Sequence, residues 1–343
     1  MLIPVTLLTG FLGSGKSTLL SEILRDQEFA NAAVIVNEFG EIGLDDFLVT
    51  HSKEQTVAMT TGCLCCTIRG DITQTLLDLF EKRETGQISP FNRVIIETTG
   101  LADPAPVIHT LVTEPRIAKR YMLGGVVCTI DTVNGLATLA KHEECQKQIA
   151  VADRLVYMKT DIEVDEAALH DLYNEIKHLN PLAIKQDRHG VDFSLSNLFD
   201  TTLYDPKNDH YDIARWLNDN VLHTHHDSHH HNNSGIETFS LIFDDPLPSR
   251  AFLLAMQLLI SNQGKDLLRI KGIVNLQEQS DRPIILHGVQ HVFHEPLELE
   301  YWPSEDHRTR LVFITRNIPK QTIELFFKTW LSYDAEQVLE MSR

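Results

Sequence analysis

Residues 10–17 read Gly10-Phe11-Leu12-Gly13-Ser14-Gly15-Lys16-Ser17 and fit the spacing G-x-x-x-x-G-K-[ST]. Glycines so placed let backbone N–H groups turn inward and cradle phosphate oxygens, because they adopt left-handed torsions at little steric cost. Lys16 is suited to neutralise the β- and γ-phosphates, and the Ser17 hydroxyl to ligate Mg²⁺. A chance glycine-rich turn would lack the flanks found here. An apolar run over 3–8 leads into the loop, and a helical pattern over 17–25 leaves it with its N-terminal dipole facing the anion.

Outward from this loop, further apolar runs at 33–37, 94–97, 125–130 and 155–158 read as buried strands. Helical stretches, 72–83 and 104–111 among them, lie between these runs. The alternation predicts an α/β domain, a parallel sheet with helices on both faces. Such sheets bind ligands at the carboxyl ends of their strands.

Two later segments supply what a nucleotide site needs. Val94-Ile95-Ile96-Glu97-Thr98-Thr99-Gly100 is an apolar strand ending in a carboxylate, with a glycine three residues on. Glu97 is suited to hold Mg²⁺ through water or to orient an attacking water, and the Gly100 amide to sense a γ-phosphate. Met158-Lys159-Thr160-Asp161 follows another apolar strand and approximates the guanine-reading pattern Asn-Lys-x-Asp. Asp161 would accept from guanine N1–H and its 2-amino group together, and the Lys159 stem would pack over the base. Met158 stands where the Asn belongs, so discrimination rests on Asp161, and an ATP-dependent enzyme is a rival reading.

Gly62-Cys63-Leu64-Cys65-Cys66 packs three thiols into four residues, too close for an ordinary disulfide framework. Thiolates select soft or borderline metals such as Zn²⁺ and Cu⁺, with Co²⁺ open. Three cysteines do not complete a tetrahedral site, so a further ligand is needed, and carboxylates in 37–41 are candidates. Buried core cysteines and a redox-sensing pair are the other readings. Of the two remaining cysteines, Cys128 is expected in the core and Cys145, among charged residues, on a helix surface.

The 343 residues carry 30 Lys and Arg against 48 Asp and Glu, a formal charge of −18. At roughly 150 residues per domain the length suggests about two domains. The acidic balance argues against broad binding to nucleic acid or anionic membrane. No apolar stretch approaches the roughly 20 residues of a membrane span. The apolar start lacks a basic n-region and runs straight into the phosphate loop, so the expected location is the cytoplasm.

Composition breaks at 222–235, where six of the nine residues from His223 to His231 are histidine. This reads as a linker; metal capture and simple solvation both explain its histidines. Beyond it a strand at 237–243 and a helix at 248–262 precede strands at 267–276, 283–288, 292–301 and 310–315 and a helix at 320–331. These predict a smaller α+β domain on an antiparallel sheet. The expected organisation is therefore 1–205, a histidine-rich linker at 206–235, and 236–343. His287, His291 and His294 need not share a strand face, and packing or hydrogen bonding is their expected role.

Together, GFLGSGKST, NEFGEIGLDD, CLCC, IIETTGLADP, KTD, RIKGIVNL and HGVQHVFH make the chain resemble the CobW-like metallochaperone GTPases, relatives of the urease and hydrogenase maturation GTPases. The resemblance runs over nearly the whole chain. It implies a P-loop NTPase domain followed by a CobW C-terminal domain, with GTP and Mg²⁺ as cofactors. It also implies GTP hydrolysis coupled to handling of Zn²⁺ (or Co²⁺) for a client metalloprotein, and leaves a homodimer open. By position, Gly10, Gly13, Ser14, Gly15, Lys16, Ser17 and Thr18 would bind phosphate and Mg²⁺. Lys16, Glu97 and Gly100 would serve hydrolysis, and Lys159 and Asp161 would read the base. Cys63, Cys65 and Cys66, with Glu41 nearby, would hold the transition metal. The expected mechanism has GTP order 37–47 and 97–104 and so assemble the metal site. The rival is a metal-sensing GTPase switch that binds a client without transfer.

Overall fold

The computed structural model describes residues 2–36, 56–58, 64–67, 71–199, 235–293 and 296–332. These divide into two compact units, one of residues up to 172 with 183–199, the other of 173–182 with those from 235 on. Each is taken by itself.

Among the described residues, the first unit has an eight-stranded sheet in the order β3-β4-β2-β5-β1-β6-β7-β8. Its strands are β1 Ile3–Thr9, β2 Ala32–Val36, β3 Thr56–Ala58, β4 Leu64–Thr67, β5 Arg93–Glu97, β6 Tyr121–Asp131, β7 Arg154–Met158 and β8 Ile184–Asp187. All neighbours are parallel except β3 and β4. Alternate residues point to opposite faces of a strand. Leu8, Val34, Ile95 and Val127 pack with Leu19, Leu20 and Ile23 on one face, while Leu7, Ile35 and Ile96 are equally buried on the other. Both faces are therefore covered, which is why these strands read as unbroken apolar runs rather than alternating ones.

The helices are α1 Lys16–Ile23, α2 Ile72–Glu84, α3 Ala105–Thr113, α4 Pro115–Ala118, α5 Gly135–Lys141, α6 Glu143–Val151, α7 Glu166–Leu179 and α8 Leu195–Leu198. Helix α2 begins where the Asp71 side chain accepts from Thr73 N–H and ends with Lys82 and Arg83 at its negative pole. Strand β6 starts earlier than 125, because Gly124 and Gly125 interrupt its pairing with β1 without ending it. Strands β3, β4 and β8 fall outside the predicted set. They span only three or four residues each, and Ile184-Lys185-Gln186-Asp187 is a largely polar edge strand with no apolar signature.

The second unit has an antiparallel sheet in the order β12-β11-β10-β14-β9, with β13 pairing β11. Its strands are β9 Ile236–Phe243, β10 Leu267–Val274, β11 Ile284–Val289, β12 Val292–Phe293, β13 Leu297–Glu298 and β14 Thr309–Arg316. Helices α9 Ser249–Gln263 and α10 Lys320–Trp330 join Leu241, Ile270 and Phe313 of the sheet in one core through Phe252, Leu259 and Phe327. The strand expected over 292–301 is instead two short strands on either side of Pro296, which has no N–H to give a ladder. The histidine-rich linker expected at 206–235 lies outside the described residues except for Gly235. No helix among the described residues is long and apolar enough to cross a membrane.

Candidate nucleotide and metal site

The loop between β1 and α1 has the torsions its glycines permit: φ is 140° at Gly10, 74° at Gly13 and 98° at Gly15. A Cβ at Gly10 would collide with Thr129, and the Ser14 hydroxyl shares a 2.6 Å hydrogen bond with the Thr129 hydroxyl. The loop is thus seated on β6. Lys16 is 8% exposed, and its Nζ donates to the Gly10 carbonyl at 2.8 Å and the Phe11 carbonyl at 3.2 Å. The cation is held inside the loop that would wrap the phosphates. Gly15 caps α1 without a side-chain acceptor, so the first-turn N–H groups are placed for anion oxygens. Thr18 lies in that first turn.

Glu97 ends β5 and is 5% exposed. Its Oε1 accepts from the Ser17 hydroxyl at 3.2 Å, joining groups 80 residues apart. A carboxylate beside an alcohol is a hard oxygen pair of the kind Mg²⁺ prefers, so these two residues fit that ion. Thr98 N–H donates to the Leu8 carbonyl at 2.9 Å, and its hydroxyl to that of Thr9 at 2.9 Å, which locks the start of the following segment to β1. At Gly100 the backbone runs so close to the phosphate loop that a Cβ would stand 2.7 Å from Leu12 N and 2.8 Å from Leu12 Cα. Only glycine fits there.

The segment expected to read the base follows β7. Met158 is 4% exposed and packs with Leu19 and Leu20; its Cε lies 3.0 Å from where a Cβ on Gly15 would sit. An apolar contact with the phosphate loop thus stands in the place of an Asn's polar one. Lys159 takes a left-handed φ of 62°, and its Nζ pairs with Asp131 at 2.7 Å. Burial works to raise the Asp131 pKa, but the hydrogen bonds from Lys159, Asn134 and Val133 outweigh it and hold that carboxyl below its ordinary value. The Asp161 side chain is 61% exposed, with Oδ1 3.4 Å from His189 Nδ1. Thr160 bonds both Asp187 and His189. Asp131, Asp187 and His189 carry no motif signal in the sequence; pairing of β6, β7 and β8 brings them to this end of the sheet.

Of the metal motif, Cys65 and Cys66 fall in β4, paired with Val34 and Ile35 of β2. Strand β2 in turn pairs with β5, Ile35 opposite Ile96 and Val36 opposite Glu97. Cys63 and Glu41 lie outside the described residues. Among the described residues no three His, Cys, Asp or Glu side chains cluster as a metal site.

The other cysteines are inert. Cys128 is buried in β6 as expected. Cys145 is also buried, which corrects the surface position expected from its charged neighbours. It shares the inward face of α6 with Gln148 and Ile149, while the charged residues around it take the other faces. Burial pushes the Cys145 thiol up to about 12, and burial followed by the nearby Cys145 raises Cys128 well above its ordinary value. Both stay protonated near neutrality and are poor nucleophiles or ligands. In the second unit His287 is buried with Nε2 3.4 Å from Arg269 Nη2, His291 is exposed, and His294 lies outside the described residues.

The family described as "CobW/HypB/UreG, nucleotide-binding domain" matches residues 4–185, and "Cobalamin synthesis protein cobW C-terminal domain" matches residues 236–331. A protein named zinc chaperone YjiA, from Escherichia coli (strain K12), is 32% identical over 327 residues, covering 95% of this chain and 98% of that protein. A zinc-regulated GTPase metalloprotein activator 1 from Schizosaccharomyces pombe is 33% identical over 215 residues, covering 60% of this chain and 51% of that protein. The crystal structure of Zn(II)-bound YjiA GTPase from E. coli superposes with a TM-score of 0.75 at 29% identity, covering 97% of this chain and all of that one. Motifs, topology and matched length agree: the chain belongs to the CobW/HypB/UreG family and carries its CobW C-terminal domain.

Proposed function

We propose that the chain is a GTPase that binds zinc, or in second place cobalt, and hands it to a client metalloprotein under control of the nucleotide. Lys16 neutralises the β- and γ-phosphates, Ser17 and Glu97 hold Mg²⁺, and the Gly100 N–H meets the γ-phosphate. Asp161 with Lys159 reads guanine. Bound Mg²⁺ supplies charge neutralisation on the transferring phosphoryl group. Cys63, Cys65 and Cys66, with Glu41, hold the transition metal, which is cargo rather than catalyst.

The observation that carries this reading is the strand order. Only β2 separates the thiol-bearing β4 from β5, which ends in Glu97. Neighbouring strands lie about 4.8 Å apart, so the Cys66 backbone is about 10 Å from that of Ile96. Cys65 and Cys66 therefore lie in the same sheet as Glu97, two strands away, which supports a coupling between metal and nucleotide. The E. coli relative's name, a zinc chaperone, supports zinc as the metal.

A second reading is a zinc-sensing switch that activates a client without transfer, and the name of the S. pombe relative favours it. One experiment tests both. Zinc affinity is measured by chelator competition, under reducing conditions and with residues 223–231 deleted, in GDP and in a non-hydrolysable GTP analogue with Mg²⁺. One tight site that strengthens with the analogue and disappears in Cys65→Ser is expected; unchanged affinity in Cys65→Ser sinks the metal assignment. Movement of that zinc to an apo-acceptor protein then separates carrier from switch.

A further inference from the structure

Helix α6 touches the nucleotide machinery twice. His142, which caps it, lies against Phe11 of the phosphate loop with ring centroids 4.5 Å apart. Gln148, in its second half, is 0% exposed and reaches the segment after Glu97. Its Nε2 donates to the Gly100 carbonyl at 3.1 Å and to the Ala102 carbonyl at 3.0 Å. Ala102 N–H donates to the Thr99 carbonyl at 3.0 Å, so residues 99–102 form a turn that Gln148 fastens from outside. On its other side the turn is pressed against Leu12. Gln148 Oε1 is buried without a hydrogen-bond partner among the described residues. An apolar side chain would fill the same space but leave the Gly100 and Ala102 carbonyls without this donor, so the glutamine serves through its hydrogen bonds rather than its volume.

We propose that Gln148 is a positioning residue that holds Gly100 for the γ-phosphate and so sets the preference for nucleoside triphosphate over diphosphate. The inference rests on the reading of the phosphate loop as a GTP site. Gly100 must be glycine to approach Leu12, and glycine is the residue with the widest backbone freedom. Anchors on the carbonyls of residues 100 and 102 remove that freedom. The Gly100 N–H is then oriented before the nucleotide arrives, which is where preorganised donors gain their advantage. A diphosphate has no oxygen at that position, so Gln148 has no hold on it.

The test compares wild type with Gln148→Met, which keeps the volume and drops both polar atoms, and Gln148→Glu, which replaces the donor with a group that repels the two carbonyls. Affinities for fluorescent GDP and a GTP analogue, single-turnover hydrolysis and Tm are measured with Mg²⁺. In both variants GDP affinity stays within about twofold, while analogue affinity and hydrolysis rate fall about 10–100-fold, as for a misplaced catalytic group. An equal fall for both nucleotides alongside a lowered Tm marks a merely structural residue and overturns the proposal, as does an unchanged ratio. Wild type that binds no guanine nucleotide removes the GTP-site reading instead. Should neither variant fold, hydrogen exchange in wild type decides: amides 99–102 must be better protected with the analogue than with GDP, and equal protection overturns the proposal.

Discussion

At the scale of single residues, the chemistry depends on a few atoms whose loss has calculable effects. Asp161→Asn exchanges one acceptor oxygen for a donor, which opposes guanine's 2-amino group and matches xanthine's 2-oxo group. A hydrogen bond to a charged group is worth about 1.5–3 kcal/mol, so GTP affinity should fall about 10- to 150-fold while XTP affinity rises. Unaltered GTP affinity by fluorescence titration would remove Asp161 from base recognition. Lys16→Ala removes the cation that the loop carbonyls of Gly10 and Phe11 enclose. Hydrolysis in that variant should drop by about 10² or more, read by phosphate release. The strand–loop–helix start at 3–23 was legible because its signal is local: an apolar run, eight consecutive motif positions and a helical pattern follow one another without a break. Gln148 and Asp131 were not legible, because each acts on a partner 28 to 48 residues away in sequence. Cys145 misled because the charged run around it describes the other faces of its helix.

Among the elements, α10 shows how strongly one residue can hold a layer. Phe327 is 0% exposed and has ring contacts with Phe243, Phe252, Phe313 and Phe326, which come from β9, α9, β14 and α10 itself. Phe327→Ala should destabilise the second unit by about 3–5 kcal/mol, seen as a lowered denaturant midpoint of the signal from that unit. At the start of β14, hydrogen bonding from Arg308 holds the Asp306 carboxyl at about 2 against an ordinary 3.8. A depressed folded-state value means the stabilisation is complete above about pH 4 and is lost as pH falls toward 2. Asp306→Asn should flatten the acid limb of a stability–pH curve in that window and leave its neutral plateau lowered. The long apolar strands and helices α1, α2, α3, α9 and α10 were readable from periodicity. Strands β3, β4 and β8 were not, since a strand of three or four residues is defined by its neighbour rather than by its own composition.

For the whole molecule, the proposed coupling between metal and nucleotide is a linkage and must act in both directions. If the GTP analogue tightens zinc binding, zinc must tighten analogue binding by the same factor, about 5- to 150-fold for a typical coupling of 1–3 kcal/mol. Calorimetric titration of the analogue with and without zinc measures it, and a factor of one would sever the two sites. The class of the two sheets, parallel and then antiparallel, could be anticipated from alternation in the first half and short-turn strands in the second. The insertion of β14 between β10 and β9 could not, because sequential proximity favours neighbours and β9 meets its partner 66 residues after it ends. That placement has a consequence for how the protein is made. Among the described strands, the earliest in sequence, β1, sits between β5 and β6, and the latest, β14, sits between β10 and β9. Neither sheet grows outward from a finished edge; each waits for a late-emerging strand to fill or flank its middle. A nascent chain short of residue 309 leaves β9 and β10 without the strand that joins them, exposing unpaired ladders of the kind that aggregate or recruit chaperones.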